Sequence, residues 1–305
     1  MHLQINKFSN PQIFLYINLR ILRILNGNRN GLESHPVRTL LLTLEERVHS
    51  AVQLGASDGE AHALHLLGNV ALRCDDLDGA TTQQEAARAI YVRRGVRSGE
   101  AHALLSLGDV ALRRNDLDGA KTHLEAALDL YVRIGTRSSE ANALQCLGEV
   151  ALRRDELEGA KTHLEAARNV FVRIGGSIGE ANTAYIEALA LTREDTVKAE
   201  AKFRDALKKY QTFNDAWGIA QCSLRLAQIA TLQGDIASLP AAAAKILAFE
   251  TSDPSKRAGP GWRAFCASLA ETDSAKREAL RDEARAAWTG IGALGLVRDY
   301  LDFRP

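Results

Sequence analysis

Apolar residues recur at helical spacing through most of the chain. In residues 99–138, apolar and small side chains fall three or four positions apart on both sides of a turn at Asn115-Asp116. This spacing is typical of an α-helix that buries one face, whereas a half-buried strand alternates at every second residue. The pattern therefore predicts two helices joined by a tight turn. Gly135, just after the second apolar run, is expected to cap that helix.

The predicted helix pair recurs every forty residues. Three segments align without gaps, and 25 or more of the 40 positions match between neighbours. The frame continues more weakly on both sides, into a half unit before the array and degenerate units after it. One helix pair cannot bury its apolar stripe alone, but stacked pairs can. The sequence therefore predicts an all-α solenoid of antiparallel helix pairs with about five to six units. The full units are residues 59–98, 99–138 and 139–178; the others are 34–58, 179–218 and the start of 219–252.

The two ends of the chain differ from the array. The first 32 residues carry four basic side chains and no acidic one. We expect residues 1–33 to form a poorly ordered tail or an isolated helix. A membrane-surface helix or an organellar presequence is the alternative. Their apolar run is shorter than the roughly 20 residues that a membrane span needs. Residues 236–305 are predicted to form degenerate capping helices, with Trp262, Phe265 and Trp288 packed inside the cap.

Composition narrows the class of function. The 305 residues are 46% hydrophobic and 25% charged, with a formal net charge of zero. A general nucleic-acid binder would be clearly basic, so no nucleic-acid partner is expected. The four cysteines form no C-x-x-C pair. Reduced thiols in a cytoplasmic protein are therefore the expected state.

Small residues at fixed places in each unit carry a family resemblance. They are the pairs Leu67-Gly68, Leu107-Gly108 and Leu147-Gly148, then Ala80, Ala120 and Ala160, and Ala87, Ala127 and Ala167. The pattern resembles the tetratricopeptide repeat family over residues 34–234. Two features depart from the family pattern, because leucine replaces the usual tryptophan and the usual proline is missing. The forty-residue period looks like the long-helix subclass of G-protein-signalling scaffolds and signalling-NTPase sensor arrays. The resemblance implies a right-handed superhelix that binds proteins or peptides and has no chemistry of its own.

Motifs that would carry chemistry are weak. The run Gly290–Gly295 matches G-x-G-x-x-G, but a dinucleotide fingerprint must follow a strand, and here a predicted helix precedes it. His62, His65 and His102 share one predicted helix face. The helix-packing distance of about 10 Å between stacked units would keep them too far apart for one metal ion. We therefore expect no catalytic residue, no cofactor and no metal.

Two polar columns run along the first helices. Acidic or amide residues stand four positions before arginines, and the resemblance implies that these helices line a concave groove. Acid–base pairs at this spacing also stabilise their own helix, so intrahelical pairing is the competing interpretation. In the first unit Asn69 leaves Arg73 without an acidic partner, which favours an acidic or carboxylate-bearing peptide there. The candidate groove residues are His62, His65, Asn69, Arg73, His102, Asp109, Arg113, Asn142, Gln145, Glu149 and Arg153.

The sequence thus predicts a cytoplasmic, non-enzymatic adaptor in signal transduction that binds a peptide segment in its concave groove. No membrane span is expected, and self-association stays open. The alternative is a sensor or oligomerisation arm of a signalling NTPase, separated from its catalytic domain.

Overall fold

The structure is a computed structural model that describes residues 57–192, 194–232, 237–250 and 259–302. The predicted tail at residues 1–33, and all but the last two residues of the predicted half unit at 34–58, lie outside the described residues.

The regular structure of the described residues is entirely helical, and consecutive helices pack as antiparallel neighbours. The predicted all-α repeat solenoid is therefore confirmed. No described helix is both long and apolar enough to cross a membrane. The helices are α1 (Ser57–Arg73), α2 (Leu77–Arg94), α3 (Arg97–Arg114), α4 (Leu117–Ile134), α5 (Arg137–Arg153), α6 (Leu157–Ile174), α7 (Ser177–Leu191), α8 (Thr196–Thr212), α9 (Ala216–Leu232), α10 (Leu239–Glu250), α11 (Gly259–Ala270), α12 (Ser274–Gly290) and α13 (Leu294–Leu296), which continues as a π-helical turn (Val297–Leu301).

The first helix of each pair lies on the inner side of the array. Successive first helices α1, α3, α5 and α7 contact one another directly, while contacts between successive second helices are at most slight. A stack in which one row of helices is closer together than the other curves toward the closer row. The odd-numbered helices α1 to α9 therefore form the concave face.

Local sequence explains where the helices begin and end. The side chains of Asp76 and Asp116 accept hydrogen bonds from the backbone N–H groups of Gly79 and Gly119 at the starts of α2 and α4. Such caps satisfy backbone donors that have no partner within the helix. Gly135 ends α4 in the left-handed conformation, at φ 75°. The predicted glycine cap is confirmed.

Glycines in the first helices let the two helices of a unit approach closely. A Cβ atom placed on Gly108 would lie 2.6 Å from Cδ2 of Leu124, and one on Gly148 would lie 2.7 Å from Cδ2 of Leu164. The same position in the first unit, Gly68, faces the side chain of Gln84 instead. These glycines are therefore points of close approach between the two helices of a unit.

Aromatic side chains build the core of the C-terminal cap. Trp262, Phe265 and Trp288 are buried, and Tyr300 from the π-helical turn joins them with its ring centre 4.7 Å from that of Trp262. The expectation that these side chains pack in the cap is confirmed. Consequently residues 294–302 are anchored in the cap by one side and turn their other side toward the array.

Candidate binding groove

The structure brings the eleven predicted groove residues onto one face. All of them lie on α1, α3 or α5, which are the first three helices of the concave side. His62, His102 and Asn142 stand forty positions apart and are exposed. They form an exposed polar row across α1, α3 and α5. Their role in binding stays a prediction.

Two of the predicted residues in α1 belong to a partly buried hydrogen-bond network. His65 Nδ1 lies 2.8 Å from Gln84 Oε1, and Asn69 Nδ2 lies 3.1 Å from His65 Nε2. The Gln84 amide in turn donates to Asn69 Oδ1 at 2.9 Å, and Ser106 donates to the same oxygen at 3.1 Å. These contacts require a neutral His65 with its proton on Nδ1, and burial lowers the pKa of its imidazole. His65 and Asn69 therefore help to hold α1 against α2 and α3.

The histidines of α1 and α3 are closer than the repeat spacing suggested. The ring centres of His65 and His102 lie 6.1 Å apart, and His102 also lies 5.5 Å from the ring of Tyr131. The separation of about 10 Å was expected for equivalent positions of stacked units such as His62 and His102, and His65 is not equivalent to His102. No group of three or more potential ligands that could hold a metal ion occurs among the described residues.

The arginine column reaches across units as well as along its own helix. Arg113 Nη1 donates to the carbonyl oxygen of Leu72 at 3.3 Å and to Asp75 at 3.0 Å, whereas Asp109 is 3.8 Å away. The predicted intrahelical pair of Arg113 with Asp109 is therefore present, but a nearer acid, Asp75, lies in the preceding turn. The guanidinium is placed favourably at the negative, carbonyl end of the α1 dipole. In the first unit, Arg73 is exposed.

Arg153 repeats this arrangement one unit later and adds a distant partner. Its Nη1 donates to the carbonyl of Leu112 at 2.9 Å, and its Nη2 donates to Glu149 at 2.7 Å, as the intrahelical pattern predicted. The position equivalent to Asp75 is the neutral Asn115. The acid instead comes from Asp299, whose carboxylate is also 2.7 Å from Arg153 Nη2.

Residues 294–302, here called the C-terminal segment, lie across the inner face. A Cβ atom on Gly295 would lie 2.9 Å from the carbonyl oxygen of Arg113, so glycine is required for this close approach. Arg298 donates to the carbonyl of Arg153. The segment therefore packs against the ends of α3 and α5 through backbone groups and through its charged side chains.

A second arginine holds the segment from α9. Arg225 is 3% exposed and donates to the backbone carbonyl of Asp299 at 2.9 Å and to the Tyr185 hydroxyl at 3.3 Å. Its guanidinium carbon lies 4.8 Å from the ring centre of Tyr300, which is a cation–π distance. Gln221 donates to the Tyr300 hydroxyl at 3.2 Å.

A cavity of about 630 Å³ lies between α5, α7, α9 and the C-terminal segment. Its walls carry both charges, several amides and three tyrosines. Burial raises the pKa of the Glu149 carboxyl, and Arg153 opposes that shift. The Oε1 atom of Gln145 is buried without a hydrogen-bond partner. The lining includes Gln145, Glu149, Leu152, Arg153, Asp155, Asn182, Tyr185, Ile186, Leu189, Thr192, Tyr210, Gln221, Arg225, Arg298, Asp299, Tyr300 and Asp302.

Several residues of this face were not predicted from the sequence. Gln84 could have been found, because it replaces a leucine that stands at the same place in the next two units. Arg225 could have been found too, since it interrupts an apolar helix between Leu224 and Leu226. Asp299 offered no comparable signal, because its partner Arg153 is 146 positions away.

No protein-family model and no curated protein matches this chain. Function is therefore inferred from the two parts of the groove, an open end with an exposed polar row and a closed end with a polar cavity.

Proposed function

We propose that this chain is a non-enzymatic interaction scaffold of tetratricopeptide type, which binds a carboxylate-bearing protein segment on the open end of its concave face. The open end comprises the inner surfaces of α1 and α3 together with the exposed row His62, His102 and Asn142. A cytoplasmic role in signalling is part of the same proposal.

The docking of the chain's own C-terminal segment supports this proposal. That segment is a helical stretch, and its Asp299 carboxylate pairs with Arg153 at the end of a first helix. Arg73 stands two repeats earlier, in the last turn of α1, and is exposed. A partner carboxylate can therefore meet Arg73 as Asp299 meets Arg153, and the exposed polar row can provide further hydrogen bonds.

Charge reversal at Arg73 tests the proposal. The full chain is used as bait, partners are captured from the source lysate, and each purified partner is titrated against wild type and Arg73→Glu. Loss of one charge-assisted contact costs about 1.5–3 kcal/mol, which corresponds to about 10- to 150-fold in affinity. The loss should shrink at high salt, since the pair is solvent-accessible.

Lys121→Glu is the matched control. Lys121 is exposed on α4, a second helix outside the inner row, and carries the same charge. We expect the Lys121→Glu protein to bind the partner with an affinity within about twofold of wild type. Equal weakening by both variants, or by neither, would mean that the partner does not use the concave face.

A further inference from the structure

The cavity at the closed end of the groove is a separate feature from the open end. It lies under the C-terminal segment, which contributes three of its wall residues that contact the array, Arg298, Asp299 and Tyr300. At about 630 Å³ it is within the range of small-molecule sites, about 300–1,000 Å³. A space of this size with polar walls can hold a small ligand.

One wall of the cavity has more hydrogen-bond acceptors than the protein satisfies. Glu149 and Asp299 each place a carboxylate oxygen 2.7 Å from the same Arg153 Nη2 atom, so two carboxylates share one guanidinium nitrogen. The side chains of Glu149 and Asp299 are each 29% exposed, so both carboxylates are accessible on this wall. Carboxylates have about four acceptor sites each, so this wall can accept several further hydrogen bonds.

Arg153 and Arg225 are directed at protein acceptors, and one Arg298 nitrogen is as well. Arg153 also donates to the Leu112 carbonyl, and Arg298 donates to the Arg153 carbonyl. Arg225 donates to Tyr185, to Gln228 and to the backbone of Asp299. An anionic ligand would have to compete with these bonds. A donor-rich cation would instead meet the remaining acceptor sites of the Glu149 and Asp299 carboxylates.

A further lining carboxylate is engaged elsewhere. Asp302 pairs with Arg285 of α12 at 2.9 Å. The acceptor wall is therefore formed by α5 and Asp299, and the part of the lining on α7 is less polar. Tyr185, Ile186 and Leu189 of α7 line that side, and aromatic and aliphatic surfaces suit the apolar body of an organic cation.

We infer that this cavity binds a small organic cation, in which an ammonium group contacts Glu149 and Asp299 while an apolar body packs against α7. Each N–H donor of the ammonium group supplies a hydrogen bond to an acceptor site that the protein leaves free. The inference does not depend on the proposed scaffold function, because none of its residues belongs to the exposed polar row.

Three matched probes test the charge requirement with the full chain. Phenethylamine is a cation on an apolar body, phenethyl alcohol is its neutral counterpart, and phenylacetate is an anion of the same size. Binding is measured by titration calorimetry and by the rise in melting temperature with ligand concentration. We expect phenethylamine to bind with a Kd of about 1 mM or tighter, at least about tenfold tighter than either counterpart.

Two variants localise the site, and two variants serve as controls. Glu149→Gln keeps the side-chain shape and should weaken amine binding at least about tenfold. Leu189→Trp fills the cavity without altering a charge and should weaken amine binding equally. This second variant still tests the location of the site if Glu149→Gln loosens the fold. Glu165→Gln on the exposed side of α6 and Arg73→Glu should bind like wild type.

Circular dichroism establishes that each variant is folded. The inference is wrong if wild type does not bind the amine, if the alcohol or the acid binds as tightly, or if Glu149→Gln and Leu189→Trp both leave binding unchanged. Loss of amine binding in Arg73→Glu would assign the ligand to the open end instead. If the amine binds but the Arg73→Glu partner experiment fails, only the scaffold proposal is wrong, and the inference about this cavity is unaffected.

Discussion

Gly108 allows the most direct test of how neighbouring helices pack. The glycine faces Leu124 across the α3–α4 interface, and Leu124 is fully buried. The perturbation is Gly108→Ala, which adds one methyl group. That methyl would lie 2.6 Å from Cδ2 and 2.7 Å from Cγ of Leu124. Since carbon atoms pack at about 3.5–4.0 Å, one of the two side chains has to move by about 1 Å.

Two effects of opposite sign set the magnitude. Overpacking of a dense core costs about 1–3 kcal/mol. Alanine in a helix interior is favoured over glycine by about 1 kcal/mol. We therefore expect Gly108→Ala to lower the free energy of unfolding by about 0–2 kcal/mol. The matched control is Gly159→Ala in α6, where an added Cβ meets nothing closer than 3.7 Å. That variant should be neutral or more stable by up to about 1 kcal/mol.

The assay combines urea unfolding with local hydrogen exchange, because repeat arrays do not always unfold in one step. We expect faster exchange in α3 and α4 for Gly108→Ala. A double-mutant cycle with Leu124→Ala then isolates the clash. Leu124→Ala alone should cost about 2–5 kcal/mol, and the double variant about 1–3 kcal/mol less than the sum of the single changes.

The reasoning is refuted if Gly108→Ala is at least as stable as Gly159→Ala, or if the cycle is additive. Either result would mean that Gly108 is not a point of close approach.

Two further predictions concern the C-terminal segment and pH. Gly295→Ala should lower the free energy of unfolding by about 1–3 kcal/mol and speed hydrogen exchange in residues 294–301, because its methyl would lie 2.9 Å from a backbone oxygen. In the control Gly290→Ala the added methyl meets nothing within 4 Å, and neither effect is expected. Equal effects of the two variants would refute the contact. Burial lowers the pKa of His65 from its ordinary 6.5, so the unfolded state binds the proton first as pH falls, and stability should decrease from about pH 7.5 to about pH 5.5. Urea unfolding at the two pH values should show a smaller decrease for His65→Gln, and an unchanged decrease would contradict this account.

Local sequence rules account for the helices and their pairing. Apolar residues at steps of three and four require a buried stripe, and a forty-residue period makes each stripe bury against its neighbour. The small residues at fixed places in each unit, Gly108 among them, were visible in the sequence, because their positions are set by helix geometry within one unit. For the same reason the eleven candidate residues could be assigned to one face before the structure was known.

Contacts between units were predicted less well. The spacing of Asp109 and Arg113 indicated an intrahelical pair, but Arg113 lies closer to Asp75 of the preceding turn. An arginine in the last turn of a helix can reach either way, and the stacking of units decides which acid is nearer. Gln84 shows the same limit, since its column was visible but its hydrogen bonds to His65 and Asn69 were not.

The sequence by itself determined the repeat, the helix pairs and the face that carries the polar columns. Only the tertiary structure decided that the C-terminal segment returns to the array and forms a cavity with α5, α7 and α9. The pairing of Asp299 with Arg153 spans 146 positions and follows no period. It depends on the curvature of the stacked helices and on the anchoring of Tyr300 in the cap, and both are sums over many contacts that no local pattern encodes.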